Sequence, residues 1–142
     1  MIVLAGCNLA KMEAAKAELD ELGVESCLCK TDIADRAQVQ ALADYAASLG
    51  DVTQVIHTSG VSPSDTATEN IIKINATGTV NMVETFYPVL AEGGVMINFS
   101  SVAAYTMPQT DEWTQVFEAW NEPDFYDRLL ALIWPKPCPR SL

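Results

Sequence analysis

The sequence predicts an α/β fold: a three-layer arrangement with a parallel sheet between helices. Two observations carry this. Short apolar runs alternate with longer segments of helical periodicity through the first hundred residues. The runs are apolar on both sides of the strand rather than on alternate residues, the pattern of parallel strands covered by helices on both faces. With 142 residues, 49% of them hydrophobic, the chain is large enough to bury a core and too apolar for a disordered segment.

The elements follow in order. Ile2 to Ala5 reads as a buried strand closed by Gly6. Asn8 is a suitable N-cap for a helix whose stripe is Met12, Ala15, Leu19 and Leu22, with Gly23 placed as its C-terminal glycine. Residues 24–30 form the second strand. Asp35 to Leu49 is a helix with Val39, Leu42, Ala43, Ala46 and Leu49 on one face, ended by Gly50. Residues 53–57 form the third strand, and 58–63 a turn-rich loop. A long helix is expected from Thr68 to Ala91, with Ile71, Ile72, Val80, Val83, Phe86 and Leu90 inward and Pro88 bending its last turn. Gly93 and Gly94 end it, and residues 95–99 form the fourth strand. Beyond Ser101 the pattern changes. Trp113, Val116, Phe117 and Trp120 suit a short helix starting near Thr110. Pro123 suits the start of a second one carrying Phe125, Leu129, Leu130 and Ile133. Prolines at 135, 137 and 139 bar the tail from helix or central strand. The organisation read from this is 1–105 for the sheet domain, 106–134 for a helical, lid-like segment, and 135–142 for a proline-rich tail.

Composition excludes several functions. A net charge of −11 repels phosphate backbones, which disfavours nucleic-acid binding. No apolar run approaches the roughly 18 residues of a membrane span, and no basic segment precedes an apolar one at the start, so neither a membrane protein nor a secretory signal is expected. Four cysteines do not make a disulfide framework, and a reducing, cytoplasmic compartment is expected.

Ligands of parallel α/β sheets bind at the carboxyl ends of the strands. Function is therefore expected in the loops at 6–8, 31–33, 57–63 and 99–105. There the sequence has Thr31-Asp32-Ile33, then His57-Thr58-Ser59-Gly60, then Asn75-Ala76-Thr77-Gly78 in the long helix, and then Asn98-Phe99-Ser100-Ser101. In this order and spacing the first 105 residues resemble the short-chain dehydrogenase/reductase family. The resemblance implies a Rossmann-type sheet and an NAD(P)-dependent alcohol or ketone oxidoreductase acting on a small-molecule substrate. It implies roles by position. Asp32 would sit beside the adenine amine, with Ile33 packing on the ring. Ser59 and Gly60 would line the cofactor in a segment where only the glycine matches the family's Asn-Asn-Ala-Gly. A missing Cβ at Gly60 lets backbone approach a ligand closely. Asn75 would brace the active site, and Ser101 would hydrogen-bond the substrate carbonyl, aimed where negative charge grows.

The departures from the family are large. Its glycine-rich phosphate loop lies between its first strand and first helix, and this chain is expected to begin at the second strand, making the Rossmann sheet partial. Gly6-Cys7 offers neither an acid for the ribose nor an arginine. None of the four tyrosines is followed four residues later by lysine, so the catalytic Tyr-x-x-x-Lys is missing. Weak or absent NAD or NADP binding and a truncated, inactive chain are therefore expected, with a non-catalytic degenerate Rossmann interaction module as the alternative. In the strand order 3-2-1-4-5-6 the absent first strand is the central one. Residues 2–5 and 53–57 lose their shared neighbour, so they should close on each other, recruit a partner chain, or self-associate into a homo-oligomer. The long helix also carries more apolar residues than one sheet face needs, and its cover is expected to be missing with the C-terminal part.

Plainer readings stand beside these. His57 is a metal ligand or general acid, or simply a structural histidine at a strand end. Cys27 and Cys29 are buried thiols on one strand face. Asp32 is an adenine partner or a helix-dipole acid. Asn75 and Ser101 are site residues or ordinary polar positions in a helix and a turn. Trp113, Phe117 and Trp120 form a lid or packing stripe, or a cofactor box.

Overall fold

The computed structural model describes residues 1–106 and 110–133; the proline-rich tail predicted from 135 lies outside them. The elements are β1 (Ile2–Gly6), α1 (Leu9–Glu21), β2 (Ser26–Lys30), α2 (Arg36–Ser48), β3 (Val52–His57), α3 (Thr68–Ile71), a π-helical segment Ile72–Gly78, α4 (Thr79–Phe86), a 3-10 turn Tyr87–Val89, β4 (Leu90–Asn98), a 3-10 turn Val102–Tyr105, α5 (Asp111–Glu118) and α6 (Phe125–Ile133). The strands form two parallel ladders, β1 with β2 and β3 with β4, in register Ile2 to Ser26 and His57 to Asn98.

Local chemistry sets most boundaries. Asn8 accepts from the Lys11 amide and starts α1. Asp35 accepts from the Ala37 and Gln38 amides and starts α2, and the Thr110 hydroxyl caps α5. Gly23 lies at φ 71°, a conformation few side chains adopt, where α1 turns back to β2. Leu22, expected on the buried stripe, is 76% exposed, because α1 touches the sheet mainly through Met12.

The long helix departs from expectation. It is α-helical only at its ends, widened by a π-helical segment at Ile72–Gly78, and it stops at Phe86. Pro88 lacks an amide hydrogen and its ring crowds the preceding turn, so the chain tightens to 3-10 over Tyr87–Val89. Leu90 is therefore the first residue of β4 rather than the last inward residue of a helix. Gly93 and Gly94 do not end a helix. They form the irregularity by which Val52 pairs with Leu90 but Gln54 with Val95. Gly93 has φ 76°, and a Cβ on Gly94 would lie 2.8 Å from the Ala91 carbonyl oxygen.

Side-chain alternation assigns the layers. Val3 belongs to a core with Ile33, Val39, Leu42, Ala43, Val55, Met82 and Phe86, so α2 and α4 cover one face of both ladders. Gly6 points the other way, against Met12 of α1. Arg36 and Glu84 pair across α2 and α4. A second core of Ile72, Val116, Phe125 and Leu129 packs α5 and α6 on the outer side of the π-helical segment. The expectation of an uncovered long helix is thus corrected: α5 and α6 cover it. Stacking of Trp113 on Phe117, with ring centroids 6.0 Å apart, stiffens that cover.

β1 and β3 do not pair with each other. Between them runs a cleft of about 740 Å³. The opposite face of the β3–β4 ladder is open too, with Ile56, Val95 and Ile97 each about half exposed or more. Among the described residues, no helix is long and apolar enough to cross a membrane.

Candidate functional site

The carboxyl ends of the four strands converge on one edge of the molecule, as parallel topology requires. After β2, Thr31 is buried and its amide donates to the Gly6 carbonyl at 3.0 Å, fixing where the chain leaves the sheet. Asp32 is exposed. One of its oxygens accepts from the Ala34 amide at 2.9 Å, and its own amide donates to the Gln38 side chain at 3.0 Å. Ile33 faces inward, in the main core. A Cβ at Gly78 would fall 2.8 Å from the Ile33 Cδ1, so a side chain where the helix crosses this loop would have to displace Ile33. Asn81, also buried, donates to the Ile33 carbonyl at 2.9 Å. Gly78 and Asn81 thus hold the Asp32 turn from the helix side.

After β3, Asn75 clamps the loop. Its Oδ1 accepts from the Val61 amide at 2.9 Å and its Nδ2 donates to the Val61 carbonyl at 2.8 Å. Gly60 sits directly over it; a Cβ there would be 3.4 Å from the Asn75 Oδ1. Ser59 and Gly60 are exposed at this edge. Beyond them the Ser62 hydroxyl and amide both donate to Asp65, and this holds the Asp65 carboxyl below its usual value. After β4, the Phe99 amide donates to the His57 carbonyl, carrying the ladder one residue past the strand. Ser101 is exposed and caps the following turn, its Oγ accepting from the Ala103 amide at 3.2 Å. Asn75 therefore bonds the backbone of the loop after β3 and Ser101 that of its own turn, and the two do not bond each other.

His57 is 4% exposed. The Thr79 hydroxyl donates to the Asn75 carbonyl at 2.8 Å, which uses its single proton. The contact between His57 Nε2 and that hydroxyl, at 3.2 Å, must then be a donation from the imidazole. His57 is a neutral ring with the proton on Nε2, and burial pushes its pKa below the ordinary 6.5. Among the described residues no cluster of three or more potential ligands could hold a metal, and the ring's partner is a hydroxyl, which favours a structural part for it.

A pH dependence follows. The unfolded chain takes up a proton near pH 6.5 and the folded one only at lower pH, so the unfolded state binds more protons in that window. Stability is full above pH 6.5 and falls on acidification below it, by at most about 1.4 kcal/mol per pH unit. Urea midpoints measured from pH 7.5 to 5 should show this slope, and His57→Gln should flatten it. An unchanged slope in the variant would assign it to other groups.

The sequence motif in the long helix includes Gly78 and runs on to Thr79 but gives neither a part to play, and Asn81 lies beyond it. The only signal for them was position: glycine and asparagine three residues apart on the face that also carries Met82 and Phe86. Of the thiols singled out, Cys29 packs at the edge of the main core and Cys27 is half-buried; Cys7, Cys27 and Cys29 are all unpaired.

Residues 1–112 match the sequence model of the short chain dehydrogenase family. This chain belongs to the short-chain dehydrogenase/reductase family. A short-chain dehydrogenase/reductase of Alternaria brassicicola, bsc3, is 28% identical over 108 residues, which is 76% of this chain and 39% of that protein. A short-chain dehydrogenase/reductase of Burkholderia phymatum, solved in complex with NAD, superposes with a TM-score of 0.66 at 23% identity, covering 92% of this chain and 47% of its own. A short-chain dehydrogenase structure from Novosphingobium aromaticivorans gives 0.65 at 22% identity, covering 92% and 50%. At these identities the two structures establish the shared Rossmann fold. This short-chain dehydrogenase/reductase chain spans about half the length of the relatives it matches.

Proposed function

We propose that these 142 residues are the substrate-serine half of an NAD(P)-dependent alcohol or ketone oxidoreductase, without turnover of their own. The observation that carries this is the common edge: Asp32, the Gly60–Asn75 clamp and Ser101 leave three parallel strands at their carboxyl ends, where such sheets bind ligands. Ser101 presents a hydroxyl that can donate to a carbonyl oxygen as charge develops on it. Asp32 keeps one carboxylate oxygen free for a base amine. Asn75 holds the loop in which Gly60 allows close approach. Ile33 supports this edge from beneath, since its side chain is committed to the core.

The fit to a dinucleotide is partial. The adenine side has Asp32, but the turn between β1 and α1 is Gly6-Cys7-Asn8, and Asn8 is spent on capping α1. No cradle for a pyrophosphate is present among the described residues, and no tyrosine and lysine four apart supply a general acid. Calorimetric titration of the 142-residue protein with NAD or NADP, oxidised or reduced, should therefore show no binding in the low micromolar range. Assays with simple alcohols and ketones should show no turnover. A low-micromolar dissociation constant, or turnover abolished in Ser101→Ala, would refute the reading of an incomplete half. The unpaired edges of β1 and β3 favour one second reading, a module that works by association.

A further inference from the structure

His57 closes β3, is buried, and reaches across to the first residue of α4. A hydroxyl carries one proton and turns to suit its partners. The Nε2 hydrogen of His57 occupies an accepting side of the Thr79 Oγ1 at 3.2 Å, which leaves the Thr79 proton for the Asn75 carbonyl at 2.8 Å. With the imidazole proton on Nδ1 instead, the order would reverse. Nε2 would accept from Thr79, and the Asn75 carbonyl would lose the hydroxyl as its donor. The tautomer of one buried ring therefore decides which way the chain of bonds runs.

The Asn75 carbonyl matters because of where it lies. In an α-helix it would take the amide four residues on. That amide, of Thr79, bonds the Ala76 carbonyl here, and the Thr79 hydroxyl stands in for it at Asn75. A side-chain bond thus helps to orient the Asn75 peptide, where the π-helical segment gives way to α4, and with it the direction in which the Asn75 carboxamide leaves the helix. That direction is demanding. Oδ1 and Nδ2 both meet Val61, at 2.9 and 2.8 Å, and two bonds from one amide group to one residue tolerate only small shifts. The loop over residues 58–65 has few other ties. The bonds of Ser62 to Asp65 stay inside it.

We propose that His57 and Thr79 are positioning residues for the loop after β3: the chain of bonds from His57 Nε2 to Thr79 Oγ1 to the Asn75 carbonyl sets the carboxamide that holds Val61 and, beside it, Gly60. The two residues are 22 positions apart, one on a strand and one on a helix, so the end of β3 and the helix that passes it are set together. That the loop meets a ligand rests on the oxidoreductase reading; that His57 and Thr79 place it does not. A plainer alternative is the ordinary back-bond of a helical threonine to the carbonyl four residues before, which needs no histidine.

Nuclear magnetic resonance of the full chain, without nucleotide, tests this. Nitrogen-15 spectra of the imidazole should show the neutral ring protonated at Nε2. Thr79→Val keeps the shape and removes the hydroxyl, so solvent exchange of the Val61 amide should speed up about tenfold, the worth of about one hydrogen bond. Thr79→Ser keeps the hydroxyl and should restore the slow exchange. His57→Leu leaves the hydroxyl free to turn away from Asn75 and should speed Val61 exchange by about threefold or more, the lower end of the same range. The Thr31 amide, bonded to Gly6 in the other ladder, should exchange in each variant as in the unaltered protein, which separates positioning from a general loss of stability. A neutral ring protonated at Nδ1, unchanged Val61 exchange in Thr79→Val, an effect of Thr79→Val with none of His57→Leu, or equal acceleration at Thr31 would each overturn the proposal. Where His57→Leu fails to fold, the tautomer and the two Thr79 variants decide. Binding of NAD, which would refute the incomplete half, alters none of these outcomes.

Discussion

Phe86→Ala is expected to destabilise the protein by about 3–5 kcal/mol, the range for removing a buried aromatic ring. Phe86 is 4% exposed at the end of α4, in the core that also holds Ile33, Val39, Leu42 and Val55. These residues come from the β2–α2 loop, α2 and β3, so one ring ties the helical layer to both ladders. A domain of this size has a total stability of about 5–15 kcal/mol, so the variant should be partly unfolded or close to it. Urea denaturation followed by far-ultraviolet circular dichroism would show it. A loss under about 1 kcal/mol would mean that the core relaxes around the vacancy.

Leu129→Ala is expected to lose about 2–5 kcal/mol, but in one region. Leu129 is 2% exposed among Ile72, Val116 and Phe125, and no strand residue belongs to that cluster. The weakened part should be α5 and α6, leaving the ladders in place. The three tryptophans are at 113, 120 and 134, so their fluorescence reports on this end of the chain. In the variant the fluorescence transition should move to lower urea than the circular dichroism transition. Coincident transitions would show that the two cores unfold as a unit.

Much of this was legible because local chemistry and tertiary packing agree. Asn8 caps the helix for which it was read, Asp35 and Thr110 turn out to cap the helices whose starts were read at them, and the strand at Ile2 and the helix containing Phe125 need no context to be seen. The long helix was legible only in part. Its inward stripe was laid out at 3.6 residues per turn, but the π-helical segment advances the chain by a wider turn, so the phase beyond Gly78 is displaced and Met82 becomes buried. Leu90 was misplaced because Leu-Ala-Glu continues a helical pattern, and only the effect of Pro88 on its own turn shows that the helix has ended. At the site, Asp32, Gly60 and Ser101 stand out as polar or glycine residues at strand ends, and Asn75 as an asparagine within the long helix. The bonds that fix two of them do not. The Asn75 clamp on Val61 spans 14 positions and the Asn81 bond to Ile33 spans 48, distances over which a single sequence carries no periodic signal.

The separation of the ladders also bears on the order in which the chain folds. Residues 2–6 pair with 26–30, and residues 52–57 with 90–98; no strand of one half pairs with a strand of the other. Each half can complete its pairing after closing a single crossover, and the loop-closure entropy of one is independent of the other. These are parallel pairings 24 residues apart in one half and 38 to 41 in the other, separations that slow the completion of both. The two halves are then joined by the packing of α2 against α4 and of the Ile33 turn against Gly78 and Asn81, so their docking is largely a helix-packing event.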